Sequence, residues 1–230
     1  MDFLVKDVEE IGENSKRSEI YLQILDNIFK TIAIFPSDYE KTLQIFLRSL
    51  VTNSLKCILR ALEPGNYLKL LNSLFTSVGN GDFSILSEEL VPILPYMLRD
   101  FNSWQTVPKN EKFVYQVLEL CLSIPVPFKA LIPYVSLIMR PIVSALSGPQ
   151  SLILQAMQTL EAFVDNLEAD YLYECILPVK DELMQGIYSA LRSSANDINQ
   201  IAFRILGKIG KENRTYLMKP QKVEHNTNGP

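Results

Sequence analysis

Apolar residues recur along this chain at spacings of three and four, the period of one face of an α-helix. Leu152, Ala156, Leu160, Phe163 and Leu167 form one stripe. Leu172, Ile176, Val179, Leu183, Ile187 and Leu191 form a second, and Ile198, Ile201, Ile205 and Ile209 a third. No segment alternates with period two for long, and no Asn-Gly or Asp-Gly hairpin signal sits between β-rich runs. Turn-forming clusters break the pattern at Pro36-Ser37, Glu63-Pro64-Gly65, Gly79-Asn80-Gly81, Val107-Pro108, Ile124 to Pro127, Ser147-Gly148-Pro149, Asn166 to Ala169 and Ser193 to Asn196. These breaks predict helices near 17–35, 38–62, 66–78, 84–101, 109–123, 128–146, 149–166, 170–192 and 196–210, with a short one near 2–11. Ser37 and Asp170 stand where caps belong.

The helices repeat in pairs. "LVPILPYMLRDFN", "LIPYVSLIMRPIVSAL" and "ILPVKDELMQGIYSAL" each place an apolar-Pro step at the start or first turns of a long helix. Those prolines, Pro92, Pro133 and Pro178, are 41 and 45 residues apart. The spacing falls within the roughly 40–47-residue period of HEAT and armadillo arrays. One helix pair cannot bury both of its faces, whereas stacked pairs share a continuous core. The fold class expected is therefore all-α, a HEAT/armadillo-like solenoid (an α-α superhelix) over residues 1–215. Residues 216–230 are expected to form a polar, irregular tail. A four-helix bundle is the main rival, but nine helices with a period near 43 suit a solenoid better.

Composition narrows the function. The 230 residues are 47% hydrophobic, enough for a sizeable core, and the formal net charge is −4. An acidic pI of about 5.2 supplies no global attraction to nucleic acid or anionic membrane. Cys57, Cys121 and Cys175 are scattered and odd in number, unlike a disulfide framework or a zinc knuckle. Their pattern suits small apolar residues in a reduced, intracellular protein. "MDFLVKDVEE" is too acidic for a signal peptide. Pro141 to Leu160 is uncharged over 20 residues, but Gly148-Pro149 divides it into two helix ends.

Candidate chemistry is sparse. His225, the single histidine, stands in the tail "KVEHNTNGP", a poor place to hold a general base. No phosphate-binding loop, zinc-protease, hydrolase or kinase signature is present. The expectation is a non-enzyme with no catalytic, cofactor-binding or metal-binding residues, no cofactor and no small-molecule substrate. Two charged features stand out. Glu161, Asp165, Glu168, Asp170, Glu174, Asp181 and Glu182 face Lys180 alone, an acidic run that is either a solvated face or a surface for a basic partner. Lys208, Lys211, Arg214, Lys219 and Lys222 against Glu212 make a basic end. Within it, Gly207-Lys208-Ile209-Gly210 fits the G-x-x-G of a KH nucleic-acid clamp. The isoleucine stripe runs straight through it without flanking strands, so a helix end is the better reading and specific nucleic-acid binding is not expected. The last helix has no partner in the pairing, so Phe203 and Leu206 are expected to form an exposed apolar patch prone to self-association.

Longer stretches carry a resemblance. "AFRILGKIGKENR" and "LIMRPIVSALSGPQSLILQAMQTLEAFVDNLEADYLYECILPVKDELMQGI" are similar to the N-terminal HEAT region of the transformation/transcription domain-associated proteins. "NYLKLLNSLFTSVGNGDF", "EELVPILPYMLRDFN" and the ending "NGP" are similar too. These are very large scaffold pseudokinases of the phosphatidylinositol-3-kinase-related family. The resemblance implies a nuclear, non-catalytic scaffold in histone acetyltransferase complexes. Its implied partners are the subunits of those complexes and DNA-bound transcription activators. It implies no membrane association and carries no short functional motif onto this chain. The alternative is a free-standing HEAT adaptor of the transport or phosphatase-scaffold type.

Overall fold

The computed structural model describes residues 8–13, 16–80, 83–106 and 112–212. Among the described residues there are nine helices and no strand. They are α1 (Lys16–Ile34), α2 (Pro36–Ile58), α3 (Pro64–Asn80), α4 (84–105), α5 (Val114–Leu122), α6 (128–145), α7 (Gln150–Asn166), α8 (169–191) and α9 (Asn196–Glu212). A 3-10 turn, Val8–Gly12, precedes α1. It covers part of the expected helix near 2–11; residues 1–7 lie outside the described residues, as do Val107-Pro108 and the tail.

The chain divides into two compact units, Met1–Leu137 and Ile138–Pro230. In the first, α1 packs on α3, α2 on α4, and α3 on α5, with sequential pairs closing the layers. In the second, α7 packs on α9, and α8 on both. Alternate helices therefore stack on one another. That is the geometry of repeated helix pairs and not of an up-down four-helix bundle.

Burial explains why each helix forms. In α3, Tyr67, Leu68, Leu70, Leu71, Leu74, Phe75 and Val78 are buried, which covers both sides of the helix except a polar edge. Each such side chain contributes roughly 1.5–3 kcal/mol of transfer free energy. Pro64 occupies the first turn of α3, where its missing N–H has no helical partner to lose. Pro36 does the same for α2, so the helix starts one residue before Ser37, and no side-chain cap is present there. Asp170 lies in the first turn of α8 behind Glu168 at the cap, where its charge favours the helix dipole. The Val8–Gly12 turn is tied down by α3. The Tyr67 hydroxyl donates to the Val8 carbonyl at 2.8 Å, and the Asn66 amide to the Ile11 carbonyl at 2.9 Å.

The three apolar-Pro steps lie inside long helices, as the predicted ranges 84–101, 128–146 and 170–192 place them. Pro92, Pro133 and Pro178 occupy single 3-10 turns, Val91–Ile93, Ile132–Tyr134 and Leu177–Val179. Seven, four and eight residues of α-helix precede them. Proline has no N–H for the residue four back, so the helix tightens there and continues. Pro141, inside α6, deprives the Leu137 carbonyl of the same donor. The Asn102 amide of α4 donates to that carbonyl at 2.9 Å and to its own Leu98 carbonyl at 2.8 Å.

Candidate functional site

The polar contacts between stacked helices share one feature: their sequence separation. In the first unit, the Ser73 hydroxyl of α3 donates to Asp26 of α1 at 2.6 Å, across 47 residues. The Asn72 amide of α3 meets Glu119 of α5 at 3.3 Å, also across 47. From α2, Gln44 and Arg48 reach Glu89 at 2.9 and 3.1 Å, across 45 and 41 residues. The Glu40 carboxylate accepts the backbone N–H groups of Ile85 and Leu86, at the start of α4, at 2.8 and 3.3 Å. In the second unit, Arg204 of α9 clasps Glu161 of α7 through two nitrogens, at 2.5 and 3.1 Å, and Lys208 pairs with Asp165; both links span 43 residues. Each ladder thus joins one repeat to the next.

The two charged features of the sequence meet in this ladder. Glu161 and Asp165 belong to the acidic run, and Lys208 to the basic end with Arg204 just before it. Their charges are matched across the α7–α9 seam, so neither segment is wholly free for a partner. The signal that finds this in the sequence is the 43-residue offset, one repeat period, between carboxylate and cation. Lys30 also bridges to Asp26 at 2.5 Å. Its ammonium, followed by the Ser73 hydroxyl, holds the Asp26 carboxyl below its ordinary value of 3.8.

The G-x-x-G segment lies within α9, where nothing stands within 4 Å of a Cβ built on Gly207. It is helix and not a loop between helices on a sheet. Cys121 and Cys175 are buried and Cys57 is half-buried, all as free thiols. Burial pushes the Cys121 thiol up to about 12, which keeps it protonated and unfit as a nucleophile or metal ligand. Among the described residues, no group of three or more His, Cys, Asp or Glu could hold a metal ion. His225 lies outside the described residues. The apolar run from Pro141 to Leu160 is broken by a turn between α6 and α7. Phe128–Ala145 alone, among the described residues, is long and apolar enough to cross a membrane by length and composition. It carries Lys129 and Arg140 and buries one stripe, Val135, Ile138, Met139 and Ile142.

Helix pairs stacked with polar links at one repeat length define a HEAT-type helical-repeat protein, a class that works through extended surfaces and not a cleft. Comparison with known proteins narrows the class. Residues 1–194 match the family model of the Tra1 HEAT repeat central region, and the chain belongs to that family. The model's description places the match in the central rather than the N-terminal part of the HEAT region. The chain is 38% identical, over 98% of its length, to human transformation/transcription domain-associated protein. It is 38% identical over 98% to Drosophila melanogaster transcription-associated protein 1. Over 97% it is 33% identical to the Saccharomyces cerevisiae SAGA complex/NuA4 acetyltransferase complex subunit TRA1. It spans 6% of the length of each of these relatives. The matched region is a HEAT-repeat region and not a kinase domain.

Proposed function

We propose that this chain is a non-catalytic scaffold segment of a transcription coactivator, a nuclear protein whose helical repeats hold protein partners in a histone acetyltransferase complex. Its partners in this reading are subunits of that complex and DNA-bound activators. The observation that carries the proposal is the match along nearly the whole chain to proteins whose names place them in SAGA and NuA4 assemblies. The fold agrees with it: the inter-repeat ladders fix helix against helix and leave the outer faces of the pairs to partners. Residues 1–215 are taken as the repeat segment.

The test is affinity purification of the tagged chain from nuclei. Recovery of acetyltransferase-complex subunits supports the reading. Recovery of importin cargo or phosphatase subunits instead would assign the chain to the free-standing adaptor class.

A further inference from the structure

We draw no further inference here: the strongest candidate, the cavity of about 490 Å³ between the Val8–Gly12 turn and the end of α2, walled by Lys56, Cys57 and Arg60, carries nothing, because its wall at Val8 continues into residues outside the described ones and nothing in the structure shows what covers it.

Discussion

Asn102→Ala should destabilise the first unit through a carbonyl far from it in sequence. Pro141 has no N–H, so the Leu137 carbonyl lacks its helical donor, and the Asn102 amide replaces it at 2.9 Å. The other Asn102 bond, to Leu98, duplicates a carbonyl already served within α4 and contributes little. Leaving a partly buried carbonyl without a partner costs about 1–2 kcal/mol. Pro141→Ala supplies the missing N–H. In that background the loss of Asn102 should cost only about 0.5 kcal/mol, a coupling of about 1 kcal/mol between the two positions. Trp104, the single tryptophan, is buried two residues from Asn102 and reports on this region by its fluorescence. Urea titrations of wild type, both single variants and the double variant would give the cycle, provided the slopes agree. Equal costs for Asn102→Ala in the wild-type and Pro141→Ala backgrounds would refute the assignment of the amide as a substitute donor.

Two glycines should respond in opposite directions to alanine. At Gly186 in α8, a Cβ would stand 2.5 Å from Leu146 Cδ1 and 3.0 Å from its Cβ, so Gly186→Ala should lower stability by about 1–2 kcal/mol despite its better helix propensity. At Gly207 nothing lies within 4 Å, so Gly207→Ala should raise stability by about 0.5–1 kcal/mol; thermal unfolding checks both. Acid titration tests Asp26. Its pKa lies below the ordinary 3.8 when folded, so its contribution is present above about pH 4 and lost as pH falls through the depressed folded value. Asp26→Asn should flatten the acid limb of a stability–pH curve, and an unchanged limb would show that Lys30 and Ser73 do not hold the carboxylate.

The helices are legible in the sequence because their burial is one-sided: the Ile198, Ile201, Ile205 and Ile209 stripe is buried in α9 as its spacing implies. Even the prolines are informative, since Pro92, Pro133 and Pro178 mark the second helix of successive pairs. The 3-10 turn at each of them is not legible, because a turn that lets α-helix resume beyond it leaves no change in apolar period. The acidic run and the basic end read as separate surfaces for a related reason. Composition records how many charges a segment has, whereas their pairing depends on which flank of α7 meets which flank of α9. Phe203 lies off the isoleucine stripe of α9 and is exposed.

Stacking of equivalent helices at one repeat period is the claim on which the rest depends, and zero-length carbodiimide cross-linking tests it most directly. Lys208 and Asp165 are in contact across 43 residues, so their side chains should couple into an amide within one chain at dilute concentration. Peptide mass spectrometry should then find residues of α7 and α9 in one cross-linked product, and Asp165→Asn should remove it. Absence of that link in the folded wild-type chain, with Lys208 joined instead to carboxylates of helices outside the α7–α9 seam, would contradict the stack.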